Sequence, residues 1–219
     1  MSGPTADQVR ARLGPRLLAP EAAFNAPEFT FGTGPEEMRL TIAEHGEVYR
    51  PAAVLVPLIA HRRGMTVLLT ERHADLADHG GQISFPGGRL EEGDRDAVDA
   101  ALREAEEEVG LRPDLVTVLG AMETRATISY YRVTPVIGLA QPFASVPQAA
   151  EVAEVFEVPL PFVLDPANHR FLDRGVDGRS RATYAIPYQD RFIFGFTARI
   201  LISLAHLWGG ENFPRPAGA

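Results

Sequence analysis

Within the five positions from 104 to 108 the chain places four glutamates, Glu104, Glu106, Glu107 and Glu108, directly after Arg103. Carboxylate oxygens are the ligands that hard divalent cations take, so such a run can hold magnesium or manganese if its members converge. Helical spacing decides which of them can. With Val98 at 0° and about 100° per residue, Ala101, Leu102, Ala105 and Val109 form one apolar stripe between about 300° and 40°. Glu104 then falls at about 240° and Glu108 at about 280°, on adjacent turns of one flank. Glu107, at about 180°, lies beside both, whereas Glu106, at about 80°, lies on the opposite flank. Three of the four can meet at one point.

Anions crowded into the last turns of a helix oppose its macrodipole by roughly 0.3–1 kcal/mol each. The Glu104–Glu108 pair adds about 0.2–0.5 kcal/mol of like-charge repulsion. A coordinated cation reverses both terms. The penalties are small, so a plain solvated face could carry the same run, and the helix alone leaves both readings open. Arg103 has a similar choice: it can pair with Asp99 or Glu107 as an ordinary surface ion pair.

The order of residues around the glutamates says more. Residues 88–111 read GRLEEGDRDAVDAALREAEEEVGL. This segment resembles the Nudix box, G-x5-E-x7-R-E-U-x-E-E-x-G-U, where U is bulky and apolar. Gly88, Arg103, Glu104, Glu107, Glu108, Gly110 and Leu111 match. Asp94 stands where the first glutamate is expected, Ala105 is small, and one extra residue separates Asp94 from Arg103. Just upstream, residues 68–88 read LLTERHADLADHGGQISFPGG, similar to the signature of the Nudix subfamily that hydrolyses coenzyme A, L-L-T-x-R-[SA]-x3-R-x3-G-x3-F-P-G-G. Leu68, Leu69, Thr70, Arg72, Gly81 and residues 85–88 match; His73 replaces the small residue and Ala77 the second arginine. The two motifs cover about a fifth of the chain. Residues 131–138 and 151–160 are similar to the same subfamily with less specificity.

The resemblance implies a Nudix-type α/β/α sandwich with a mixed β-sheet and metal-dependent hydrolysis of a diphosphate bond. The substrate it implies is coenzyme A or its thioesters, cut to 3′,5′-ADP and (acyl-)4′-phosphopantetheine with Mg2+ or Mn2+. Another nucleoside diphosphate derivative, such as ADP-ribose, NADH or a nucleotide, is the alternative, and a ligand-binding domain without turnover is a third. Carried over residue by residue, Glu104, Glu107 and Glu108 are the metal ligands. Glu107 is either a ligand or the base that orients water, and Arg103 holds the glutamates. Arg72 meets a substrate phosphate, and Gly87 and Gly88 let the backbone come close enough for a carbonyl to join the coordination shell. Ala77 removes one expected phosphate contact, so another donor such as His79, Arg89 or Arg125 takes its place or the substrate binds differently. Glu154 and Glu157 come from a region where relatives recruit a further glutamate, though structural roles are expected of both. His61, His169 and His206 have no motif around them. No serine nucleophile-elbow and no GxxxxGK[ST] loop is present.

The elements that must position these groups follow from pattern. Residues 5–12 begin with a capping box, Thr5 and Gln8, and predict a short helix. Residues 16–36, rich in Pro, Gly and Ala, predict loop. Residues 52–60 and 65–72 predict buried strands joined by a charged turn, and 82–85 a short strand ending at the glycine pair. A helix is predicted over 94–109, with Asp94 as its N-cap and Gly110 as its stop. Strands are expected at 115–122, 132–139, 155–158 and 183–188, a helical turn at 159–164, and a last helix over 195–208. That helix should turn Ala198, Leu201, Ile202, Ala205 and Trp208 inward. The alternation is irregular, which predicts an α/β class with a mixed sheet.

The 219 residues are 45% hydrophobic with mean hydropathy -0.06, which suits one globular domain: a core at about 50–185, a leading arm 1–49 and the final helix. No cysteine is present, which excludes disulfides, thiolate metal sites and cysteine nucleophiles. A net charge of -8 disfavours nucleic acid but not a small anion met by a few cations and a metal. No secretory signal or membrane-length apolar run is seen, so a cytoplasmic location is expected, with no membrane partner. The partner is a small-molecule substrate, and the chain is expected as a monomer or a homodimer.

Overall fold

The computed structural model describes residues 3–31, 38–75, 80–172 and 183–209. Helix α1 (Ala6–Leu13) opens on the expected capping box: Thr5 and Gln8 each donate a backbone N–H to the other's side chain. The stretch 16–31 departs from the expected loop, and 32–36 lie outside the described residues. Pro20 starts a short helix, α2 (Pro20–Phe24), at the position where its missing N–H is harmless. Strand β1 (Glu28–Phe31) then buries Phe29 and pairs antiparallel with β2 (Met38–Thr41), which runs into a single turn, α3 (Ile42–His45). Phe29, Leu40 and Ala126 make a small apolar cluster of their own, and four-residue strands are too short for alternation to reveal them.

Strands β3 (Arg50–His61) and β4 (Gly64–Arg72) form the central hairpin. Two short strands follow, β5 (Ile83–Ser84) on β4 and β6 (Gly87–Arg89) on β3. After helix α4 (Ala97–Val109) come β7 (Val116–Ala121), β8 (Arg125–Ala126), β9 (Tyr131–Ala140) and β10 (Val152–Pro159). The main path runs β10-β4-β3-β9-β8-β1-β2, with β7 also paired to β9. The β3–β9 and β1–β8 pairs are parallel and the rest antiparallel, so the sheet is mixed. Helix α5 (Leu160–Leu164) leads to a three-stranded antiparallel sheet of β11 (Arg170–Leu172), β12 (Thr183–Tyr188) and β13 (Arg191–Phe194), and α6 (Gly195–Gly209) follows.

Alternation along β3 builds the layers. Ala53, Leu55 and Ile59 face α4, while Val56 and Leu58 face α1, α5 and α6. This is the expected α/β/α sandwich. On α6, Ala198, Leu201, Ile202 and Ala205 are buried as expected. Trp208 is half-buried and packs against the same core, with the Arg12 guanidinium 4.8 Å from its ring centroid.

Helix α4 corrects two expectations. Its N-cap is Asp96, whose carboxylate accepts the N–H groups of Val98 and Asp99 at 2.8 and 3.0 Å; Asp94 lies outside the helix. Its buried face consists of Ala97, Ala100, Ala101, Ala105, Glu108 and Val109, rolled toward the acidic flank. The reason is size: alanines let the helix settle close to the sheet, while Val98 and Leu102 stay at the margin. Gly110 ends the helix as expected, at φ 73°, with its N–H to Glu106 O and the Leu111 N–H to Ala105 O. The last carbonyls, of Glu108 and Val109, accept the N–H groups of Gln148 and Val146, both at 2.9 Å. The β9–β10 loop thus caps the helix.

Candidate active site

Four backbone segments meet on the acidic flank of α4: the end of β4, the glycine pair of β6, the helix itself and the end of the β9–β10 loop. The roll of the helix puts Glu108 inside, with 4% of the residue exposed. Burial pushes its carboxyl up to about 8; neighbouring Glu104 and Glu151 add to the rise, while Arg72 and a Gly87 backbone hydrogen bond oppose it. Burial also raises Glu104, against the hydrogen bond from Arg103. Two carboxyl groups that resist ionisation side by side are where a cation would be stabilised most.

Gly88 sits against this pair. A Cβ there would run into the Glu104 carboxylate, and a Cβ at Gly87 would run into the Ala53 carbonyl and the Val54 backbone. Glycine at 87 lets β6 lie close against β3, and glycine at 88 leaves the Glu104 carboxylate its place.

Arg103 organises the outer half of the site. Its Nε and Nη2 donate to the two oxygens of Asp94 at 3.1 and 3.0 Å, and Nη2 also donates to the Arg89 carbonyl at 3.1 Å. Its Nη1 donates to Glu104 at 2.9 Å and to Glu107 at 3.4 Å. One guanidinium thus ties the loop after β6 to the helix. Asp94 also accepts the Glu91 N–H at 2.8 Å, and the Arg103 hydrogen bonds hold its carboxyl below the usual aspartate range. The partner expected alternatively for Arg103, Asp99, is taken by Arg95.

Arg72, at the end of β4, reaches the inner half. Its Nη1 lies 3.9 Å from Glu108 Oε1 and its Nη2 lies 3.9 Å from Glu151 Oε2. Its backbone is fixed between Gln82 O and the Gly81 N–H, and the next residue, His73, donates its N–H to Glu151 O at 3.0 Å.

Glu151 joins the site without any motif in the sequence to mark it. It faces Arg72 and acts electrostatically on both Glu104 and Glu108. It opens the 151–160 segment, but without the loop's path nothing distinguished it from its neighbours. Glu154 and Glu157 turn elsewhere, as expected of structural residues. Glu154 meets Arg191 at 2.7 Å, and Glu157 accepts from Thr66 at 2.5 Å and meets His61 at 2.6 Å. Glu107 lies at the rim, its side chain 55% exposed, and Glu106 points to solvent. Arg89 contributes its carbonyl and keeps an exposed side chain. Arg125 is buried in β8, across β9 from β3, and lies 3.9 Å from Glu123. Ala77 and His79 lie outside the described residues.

The donor chemistry, carboxylate oxygens around a glycine cradle, fits a hard divalent ion of the magnesium or manganese kind. As the side chains stand, no three carboxylate or imidazole groups among the described residues are gathered closely enough to hold one.

Residues 48–174 match the NUDIX domain family model, from ahead of β3 to beyond β11. The chain is 43% identical over 157 residues to a Nudix hydrolase called NudL from Pectobacterium atrosepticum, covering 71% of this chain and 81% of that one. It is 40% identical over 160 residues to the NudL of Escherichia coli K12, covering 72% and 82%. A solved Nudix hydrolase from M. smegmatis, RenU, shares the fold at a TM-score of 0.52 and 21% identity, over 84% of this chain and 96% of that one. The chain belongs to the Nudix hydrolase family, which works on nucleoside diphosphate derivatives and generally uses divalent metal ions. Among the described residues no helix is long and apolar enough to cross a membrane.

Proposed function

We propose that this Nudix hydrolase cuts the diphosphate bond of coenzyme A or its thioesters, releasing 3′,5′-ADP and (acyl-)4′-phosphopantetheine. The observation that carries the reading is Arg72, the signature arginine of the 68–88 segment, placed beside Glu108 of the box. A divalent ion held by Glu104 and Glu108, with Glu107 or Glu151 completing the set, would supply charge neutralisation and Lewis acidity to the diphosphate.

The chain's own residues then have separate tasks. Arg103 fixes Glu104 through the bonds to Asp94 and the Arg89 carbonyl. The Gly87–Gly88 backbone shapes the cradle, and Arg72 binds a substrate phosphate with a planar fork suited to its oxygens. Water attacks one phosphorus, its proton passes to a carboxylate, and the bridging P–O bond breaks to leave two phosphate monoesters. Glu107 at the rim and Glu151 beside Arg72 are the two candidates for that base. The protein acts as a monomer or homodimer in the cytoplasm on a small anionic substrate, and residues 1–219 form one domain.

A second reading, hydrolysis of ADP-ribose, NADH or another nucleotide, is favoured by Ala77 in place of an arginine. Turnover of coenzyme A, dephospho-coenzyme A, ADP-ribose, NADH and nucleoside triphosphates with magnesium or manganese separates the two. Preference for coenzyme A over dephospho-coenzyme A supports the first reading; equal or better turnover of the others refutes it.

A further inference from the structure

Arg72 stands between two carboxylates without hydrogen-bonding to either. At 3.9 Å from both Glu108 and Glu151, its guanidinium is close enough for strong attraction but too far for directed bonds. Its side chain keeps 27% of its surface exposed, so the fork can be reached from solvent. Glu108, by contrast, is enclosed, and the charge its carboxyl takes on when it ionises, as a metal ligand must, needs a nearby cation. Arg103 serves Asp94, Glu104 and Glu107 on the outer side. On the inner side, among the described residues, the cation facing Glu108 and Glu151 is Arg72.

We propose that Arg72 is the resident counter-ion of the inner carboxylates, and that a bound divalent cation releases it to a substrate phosphate. The inference rests on reading the carboxylates as the metal site and adds a linkage between metal and substrate. Guanidinium and metal compete for the same oxygens, so each is disfavoured while the other holds them. Once the metal neutralises Glu108 and Glu151, the guanidinium loses its attraction there and its fork is open to an incoming phosphate. The loose geometry suits an exchange of partners, since no directed bond must break. A bidentate clamp like that of Arg103 on Asp94 would resist it.

Mn2+ titration of the full chain without substrate, read by calorimetry or electron paramagnetic resonance, tests this. Arg72→Gln should bind Mn2+ roughly tenfold more tightly than wild type at low ionic strength. Arg72→Lys, which keeps the charge, should bind it as wild type does. With magnesium present, Arg72→Gln should show a raised KM for coenzyme A. If Arg72→Gln fails to fold, Arg72→Met, which keeps an apolar stem of similar length, takes its place in the same titration. Mn2+ affinity unchanged or weakened in the neutral variant, while Glu108→Gln abolishes binding, overturns the counter-ion role and leaves the metal site standing. Unchanged Mn2+ binding in Glu108→Gln overturns the metal reading itself.

Discussion

Replacing Glu108 by glutamine separates the cost of a buried carboxylate from its use. In the metal-free protein its carboxyl is pushed from the ordinary 4.5 up to about 8. Between those values the folded chain holds a proton that the unfolded chain has released, so stability falls as pH rises through the window. The contribution is fully present below about pH 4.5 and lost by about pH 8. At 1.36 kcal/mol per pH unit the whole span is worth on the order of 5 kcal/mol, an upper bound because the site can relax and admit water. Glutamine keeps the shape and cannot ionise. In a chelating buffer, Glu108→Gln should therefore match wild type near pH 5 and exceed it near pH 8. The difference should be a few kcal/mol, about 5–10 °C in Tm for a chain of this length. Urea or thermal unfolding at several pH values measures it. Adding magnesium should raise the Tm of wild type and leave the variant unmoved. Parallel pH profiles for the two proteins, or a variant less stable at pH 8, would refute the reasoning.

Three further outcomes follow from the same geometry. Gly88→Ala pushes a methyl group into the Glu104 carboxylate and should cut kcat by about a hundredfold with the far-ultraviolet spectrum unchanged; full activity would mean that the cradle is not required. Asp94→Asn breaks the paired bonds to Arg103 and should cost about 2–3 kcal/mol at neutral pH. Because the Asp94 carboxyl is held low, its contribution is present above the usual aspartate range and is lost as pH falls, so the two unfolding curves should converge in acid. Glu151→Gln should slow turnover at least about tenfold, whereas Glu154→Gln, which loosens only the Arg191 pair, should change it less than about twofold; equal effects would remove Glu151 from the site.

The helix and its flank were legible because they depend on a local period. Angles of 100° per residue separated Glu104 and Glu108 from Glu106, and the structure keeps that separation. The same period misjudged how far the helix rolls, because roll depends on the sheet beneath it. Alanines at 97, 100, 101 and 105 let α4 approach closely enough to take Glu108 inside. Asp94 and Asp96 are equally plausible N-caps by type, two residues apart, and only the path of the loop decides that Asp96 caps while Asp94 receives Arg103. Glu151 is illegible for a related reason: its place beside Arg72 is set by its own N–H on the Gln148 carbonyl and by the His73 N–H on its carbonyl, which no local spacing encodes.

The loop between β9 and β10 has a consequence for how such an enzyme could diversify. Its backbone at 146 and 148 closes the end of α4, the side chain of Val146 lies over Gly110, and a few residues later it delivers Glu151. Elsewhere a surface loop is where length can vary freely between relatives. Here an insertion between 148 and 151 would leave the helix end closed and shift the carboxylate, at the cost of the backbone bonds that Glu151 and Val152 make to Gln148. An insertion ahead of 146 would do the opposite, disturbing the helix end first. The segment is thus divided into a part that natural variation can explore and a part that it must leave alone.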